Sequence, residues 1–160
     1  MKDLYIDFDG VIMNTIEELY KKAQEEGKDK EDKDFYINFD FSTIIKDEFI
    51  LNDSINCINK LIESKKFNIS ILTHVFSISE GEVKINYINK KFNDLTIIIV
   101  PKSIEKTMMV HTKDAILVDD YANNLRLWEK EDGIGIRFSI KGNGKGFKCI
   151  SRLDMLLDMF

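Results

Sequence analysis

Four aspartates and a threonine are the residues whose types and spacing could do chemistry in this chain. Asp7 and Asp9 flank Phe8 and precede Gly10, directly after the apolar run Leu4-Tyr5-Ile6. Asp119 and Asp120 follow the run Ala115 to Val118, and Thr73 follows Ile69 to Leu72. Carboxylates gathered at one edge repel one another unless a cation neutralises them. Hard oxygen ligands of this kind suit Mg²⁺, which binds through one or two carboxylates and keeps positions for water or a phosphate oxygen. A carboxylate beside a divalent ion can attack phosphorus and form an aspartyl-phosphate, dividing one difficult displacement into two easier ones. A second carboxyl two residues on, turned away where the glycine permits a sharp bend, can protonate the leaving oxygen and later activate water. Thr73 can hydrogen-bond the phosphoryl oxygens, and a lysine would balance their charge.

The elements that must position these groups are short apolar runs alternating with helical patterns. After 4–6 and 69–72 come Thr96 to Val100, ending at the single proline Pro101, then 115–118 and a weaker run, Ile134 to Phe138. Several are apolar on consecutive residues, which marks strands covered on both faces. Between them, Ile55, Ile58, Leu61 and Ile62 keep helical spacing, as do Val83, Tyr87, Ile88 and Phe92. Leu125 with Trp128 does so after the fourth run, and Leu153, Leu156 and Leu157 near the end. The alternation predicts an α/β fold, a Rossmann-like parallel sheet between helical layers, with the polar residues at the carboxyl ends of the strands where such sheets bind ligands.

Two stretches break this rhythm. Residues 27–34 (GKDKEDKD) are a charge run and read as a solvated turn, while 35–52 are aromatic-rich and match neither template. Residues 15–50 therefore read as a small cap insertion after the first strand, within a single domain spanning 1–160. The aromatics Phe35, Tyr36, Phe39 and Phe41 fit either a base-stacking wall or the insertion's own core. Lys141 to Gly146 reads as a loop between the last strand and the last helix, without the spacing of a phosphate-binding glycine fingerprint.

The 160 residues, with 23 Lys+Arg against 28 Asp+Glu and a net charge of −5, suit one soluble acidic domain. That balance gives no general attraction to nucleic acid or anionic membrane. Cys57 and Cys149 stand in no metal-ligand spacing and read as thiols in a reducing cytoplasm. The charged N-terminus is unlike a signal peptide, and no apolar run approaches the ~20 residues of a membrane span.

DFDGV after an apolar strand resembles the first motif of the haloacid-dehalogenase-like (HAD) superfamily, ILTH its second and AILVDD its fourth. Within that superfamily the sequence is most similar to the 5′(3′)-deoxyribonucleotidase group, through EVKINYINKKF (82–92), EKT (105–107), DDYANNL (119–125) and the stretch from Trp128 to Phe138. The resemblance covers most of 1–14 and 53–140; in the insertion it extends only to placement. It implies that Asp7 is the nucleophile and a metal ligand. It implies that Asp9 is the general acid/base, with its main-chain carbonyl on the metal. Asp120 would ligate Mg²⁺ directly with Asp119 in support. Thr73, His74, Lys106 and Lys84 would form the phosphate site. The sequence departs from the group at His74, where a serine followed by proline is usual. Its interval from Lys106 to Asp119 is also longer, which leaves Lys102 and Lys113 as alternatives for the phosphate-facing lysine.

The implied activity is Mg²⁺-dependent hydrolysis of a small phosphorylated substrate, a (deoxy)nucleoside monophosphate, by a monomer or homodimer. A general sugar-phosphate or nucleic-acid 3′-end phosphatase is the alternative. A non-catalytic domain binding Mg²⁺ or phosphate is the rival of another class; retention of Asp9 beside Asp7 argues against it. Taken singly, D-G is a turn signal, and His74 and His111 read as a hydrogen-bonding neighbour and a surface residue. Tyr5, Phe8 and Trp128 read as core, with Phe8 also a candidate to line the pocket.

Overall fold

A computed structural model describes all residues, 1–160. Six strands form one sheet in the order β3-β2-β1-β4-β5-β6, every neighbouring pair parallel. They are β1 (Lys2–Ile6), β2 (Phe67–Val75), β3 (Thr96–Pro101), β4 (Ile116–Asp119), β5 (Ile134–Phe138) and β6 (Lys148–Ile150). The consecutive apolar residues have the expected cause. Leu4 and Ile6 of β1, Ile71 and Leu72 of β2 and Ile116 to Val118 of β4 are all fully buried, because helices cover both faces.

The chain builds outward from β1 through β2 to β3, then returns to the other side of β1 with β4. This reversal is the switch point at which open α/β sheets bind ligands. Pairing of Ile6 with Val118 makes Asp7 and Asp119 neighbours one residue further on, and the Asp7 amide donates to the Val118 carbonyl at 2.9 Å.

The helices are α1 (Thr15–Glu25), α2 (Lys33–Asn38), α3 (Ser54–Ser64), α4 (Ile78–Lys91), α5 (Ala122–Lys130) and α6 (Leu156–Met159). None is long and apolar enough to cross a membrane. The amphipathic spacing seen in sequence buries Cys57, Ile58 and Leu61 of α3 and Leu125 and Trp128 of α5. Trp128 meets its polar requirement by donating Nε1–H to the Ala115 carbonyl at 3.0 Å, with Tyr5 edge-on at 5.4 Å.

Residues 15–50 fold as α1, α2 and two 3₁₀ turns, Phe41–Thr43 and Asp47–Phe49. Their buried Leu19, Ala23, Tyr36, Phe41, Ile44 and Ile45 belong to the same core cluster as Phe8, Ile12 and Ile58. The segment is also tied to α4 from outside, since Asp47 accepts from Tyr87 and Lys91 at 2.8 Å each.

The structure departs from the sequence reading in two places. The loop at 141–146 joins β5 to a sixth strand rather than to the last helix; β6 has three residues at the sheet edge, too short to register as a pattern. Residues 33–38, read as the end of the charged turn at 27–34 and the start of the stretch that matches no template, form α2, whose N-cap Asp32 accepts from the Phe35 amide at 3.0 Å.

Candidate active site

The first strand ends in a tight loop organised around Phe8. Its carbonyl accepts from the amides of Ile12 and Met13 at 3.0 and 3.2 Å, and Gly10 donates back to the Met13 carbonyl at 2.8 Å. Gly10 has φ +74°, and a Cβ there would overlap the Asp120 carboxylate. Glycine is required on both counts. The loop brings Asp7, Asp9 and the end of β4 into one pocket.

Asp7 Oδ1 accepts from the Phe8 amide at 2.9 Å and pairs with Lys106 Nζ at 2.8 Å, which leaves Oδ2 outside both interactions. Lys106 also pairs with Asp119 Oδ2 at 2.7 Å. Asp119 is fully buried and anchored from α5, where the Tyr121 amide reaches Oδ1 at 2.8 Å and Asn124 reaches Oδ2 at 2.9 Å. Asp120 enters none of these pairs. On the other side, Asp9 Oδ1 accepts from Thr15 at 2.5 Å and Oδ2 pairs with Lys84 at 2.7 Å. Lys84 is 0% exposed, and its ammonium also lies 3.0 Å from Thr73 Oγ1, 3.0 Å from the His74 carbonyl and 2.7 Å from Glu80.

The electrostatics follow from this packing. Burial, then repulsion from Asp119, push Asp7 up to about 7 despite Lys106. Burial and the charges of Asp7 and Asp119 push Asp120 up to about 8. Burial also acts to raise Asp9, but the charge and hydrogen bond of Lys84, with Thr15, outweigh it and hold Asp9 below the usual carboxylate value. For Lys106, burial opposes the charge while Asp119 and Asp7 more than restore it, so it stays protonated.

Ligand oxygens of Asp7, Asp119 and Asp120 lie within 4.8 Å of one another. With both Asp119 oxygens already engaged, the free carboxylate oxygens are those of Asp7 and Asp120. A small hard cation fits such a set, because it would relieve the repulsion that raises both groups.

All eight site residues named from sequence lie in or beside this pocket. Of the three candidate lysines, Lys106 contacts Asp7; Lys102 sits over the Phe76 ring at 5.4 Å, and Lys113 is exposed. The His74 ring bonds the Ile104 carbonyl at 2.8 Å, and burial lowers its pKa. Its backbone carbonyl, rather than the ring, meets Lys84. Phe8 is 0% exposed, with Tyr87 edge-on to its ring and the Lys84 ammonium 5.3 Å from its centroid. The insertion's aromatics stack on one another, and Tyr36 reaches Phe76 at the end of β2 with ring centroids 5.1 Å apart.

Sequence reading missed Thr15, Glu80 and Asn124. Asn124 carries a faint signal, standing in the first helical turn after the double aspartate. Glu80 and Lys84 form an i, i+4 pair, ordinarily an exposed pattern; here both are buried. Thr15 carries no signal, since its partner is set by the course of the loop.

The chain matches no family model and no curated protein sequence. Among solved structures it is similar to a HAD phosphatase from Thermococcus onnurineus, at 16% identity and TM-score 0.63, over 99% of this chain and 97% of that one. It is similar to a HAD-superfamily hydrolase of subfamily IA from Geobacter sulfurreducens, at 12% identity and TM-score 0.61 over the whole of both chains. It is also similar to D,D-heptose 1,7-bisphosphate phosphatase from B. bronchiseptica, complexed with magnesium and phosphate, at 12% identity and TM-score 0.56 over the whole of both chains. With strand order, switch point and superposition in agreement, the chain has the Rossmann-like α/β fold of the HAD hydrolases.

Proposed function

We propose that this protein is a Mg²⁺-dependent phosphomonoester hydrolase working through an aspartyl-phosphate on Asp7. The observation that carries the reading is the division of labour between two aspartates two residues apart. Asp7 keeps one oxygen outside its bonds to Lys106 and the Phe8 amide. Asp9 is held apart by Thr15 and Lys84. Asp7 and Asp120, with the Asp9 main-chain carbonyl and Asp119 behind, would hold the cation. When bound, that ion neutralises charge on the phosphoryl oxygens.

Asp7 Oδ2 attacks phosphorus in line with the ester oxygen and the P–O ester bond breaks; Asp9, which takes up a proton as the bound phosphate draws Lys84 toward itself, donates that proton to the departing alkoxide. Water then attacks the phosphorus of the aspartyl-phosphate while Asp9 takes its proton. Inorganic phosphate leaves and the Asp7 carboxylate is regenerated. Thr73 and Lys84 hold the phosphoryl oxygens through these steps. Lys106 keeps Asp7 oriented and compensates the charge that gathers in the transition state. His74 contributes its carbonyl to the placement of Lys84.

The substrate we propose is a (deoxy)nucleoside monophosphate, on the resemblance of 82–92 and 119–125 to the deoxyribonucleotidase group. Residues 15–50 serve as a small cap, and the Tyr36–Phe76 pair offers an aromatic edge beside the end of β2. The free thiols Cys57 and Cys149 suit a cytoplasmic setting. The test is phosphate release from nucleoside 5′- and 3′-monophosphates, sugar phosphates and an aryl phosphate, with Mg²⁺ and with EDTA. Metal-dependent turnover that disappears in Asp7→Asn is expected, with the best substrate among the nucleotides. Mg²⁺ binding without turnover of any ester would overturn the catalytic reading.

A further inference from the structure

Glu80 is a carboxylate that the mechanism above does not use, yet it is 2% exposed and stands directly behind the phosphate pocket. Local structure accounts for half of its position. Ser77 caps α4 by accepting from the Glu80 amide at 3.2 Å, and Glu80 Oε1 reaches back to the Phe76 amide at 2.9 Å. This is the reciprocal bonding of a capping box, moved one residue outward. A glutamine would serve that purpose as well, because a single acceptor oxygen is enough. The other half is not explained by capping. Oε2 pairs with Lys84 at 2.7 Å, and that ammonium already holds Asp9 at 2.7 Å and Thr73 at 3.0 Å.

The charge balance makes the second carboxylate costly. Asp7, Asp9, Glu80, Asp119 and Asp120 face only the Lys84 and Lys106 ammoniums. A pocket meant to hold a phosphate dianion as tightly as possible would leave Lys84 one carboxylate partner, since an additional buried anion in contact with the cation repels the incoming phosphate. Burial also works against a charged Glu80, and nothing in helix capping requires it to be tolerated.

We infer that Glu80 is a positioning residue that acts through Lys84, fixing its ammonium between Thr73 and Asp9 and holding down the affinity of the pocket for phosphate. The inference rests on the reading of this pocket as a phosphatase site. Its consequence is release of product. A site that binds phosphate during both displacements must still let inorganic phosphate go, and a carboxylate behind Lys84 draws the ammonium back as the product departs.

The experiment uses the full chain with Mg²⁺ and inorganic phosphate as the probe. The dissociation constant of phosphate is measured by calorimetry, and its inhibition constant against the best ester substrate is measured alongside KM and kcat. Glu80→Gln keeps the acceptor for the Phe76 amide and removes the charge. It is expected to bind inorganic phosphate about tenfold more tightly, with KM falling in parallel and kcat unchanged or lower. Damage to the fold loosens a site, so tighter binding separates this role from a structural one. Ser77→Ala, which weakens the cap without touching Lys84, is expected to leave phosphate affinity within about twofold. Glu80→Met is read in the same way should Glu80→Gln not fold. Unchanged or weaker phosphate binding in the uncharged variants, or equal tightening in Ser77→Ala, overturns the inference. Absence of turnover in the unmodified chain overturns the phosphatase reading instead, and the phosphate dissociation constants still decide the role of Glu80.

Discussion

Asp120 is a proposed metal ligand, yet its replacement by asparagine should stabilise this chain when no metal is present. Asp7 and Asp120 are pushed up to about 7 and about 8 from an ordinary value of 3.8, by burial first and then by neighbouring carboxylates, Asp119 for Asp7 and both Asp7 and Asp119 for Asp120. A carboxylate whose folded pKa is raised contributes stability that is fully present below its unfolded pKa and is lost as pH rises through the folded one. Metal-free protein should therefore lose stability from about pH 4 to about pH 8 through this pair, which titrates as a unit. Asp120→Asn removes one of these buried and repelled carboxylates, so its melting temperature at pH 8 should equal or exceed that of the unmodified chain, with a flatter dependence on pH.

Mg²⁺ reverses the order. For a dissociation constant on the order of 0.1 mM, about 10 mM metal contributes about 2.7 kcal/mol to the folded state. At roughly 2–4 °C per kcal/mol for a chain of this size, the unmodified protein should melt about 5–11 °C higher with Mg²⁺ at pH 8. At pH 5 the ligands are protonated and the shift should nearly vanish. Asp120→Asn should show little shift at either pH. The assay is thermal melting by circular dichroism in matched Mg²⁺ and EDTA buffers across that pH range. An Asp120→Asn protein that is less stable than its parent in EDTA at pH 8, or that keeps the full Mg²⁺ shift, would refute the reasoning.

Asp9→Asn should lower kcat on alkyl phosphates by about 10²–10⁴, and far less on p-nitrophenyl phosphate, whose leaving group needs no proton; steady-state kinetics on the two substrates reads the difference. Lys106→Met leaves Asp7 and Asp119 buried without their shared cation, so urea titration should show a loss of about 3–5 kcal/mol, partly recovered in the double variant with Asp119→Asn. Thr15→Val frees Asp9 Oδ1 while keeping volume; activity should fall with stability changed by only about 1 kcal/mol, measured by the same two assays. Asp47→Asn weakens an exposed pairing with Lys91, and its urea midpoint should stay close to that of the unmodified chain.

The sheet was legible in sequence because a buried parallel strand needs little beyond consecutive apolar residues. Ile71, Leu72 and Ile116 to Val118 meet that condition on both faces. β6 was illegible for the complementary reason, since three residues at an edge need only one neighbour. The ends of β1 and β4 carried the candidate site because the carboxylates there contradict the run before them, whereas Thr73 lies within β2 and stood out only by its place after an apolar run. Thr15 was hidden because its bond to Asp9 depends on the course of the loop between them. Glu80 adds a further difficulty, for its spacing to Lys84 is that of an ordinary surface pair, and only burial gives it another meaning.

The same geometry bears on how the segment at 15–50 takes part. A separate lid would have its own core and would meet the sheet through polar, water-filled contacts. Here α1 begins at Thr15, which bonds the side chain of Asp9, and its Leu19 and Ala23 enter the same core as Phe8. Tyr36 rests on Phe76, four residues before Glu80, and Asp47 is tied to α4 three residues beyond Lys84. Each attachment therefore falls beside a residue that holds Asp9 or Lys84. Displacement of the insertion is coupled through packed side chains to the placement of Asp9 and Lys84. On the proposed mechanism, selection of the leaving group and positioning of the reacting groups would be functions of one packed unit.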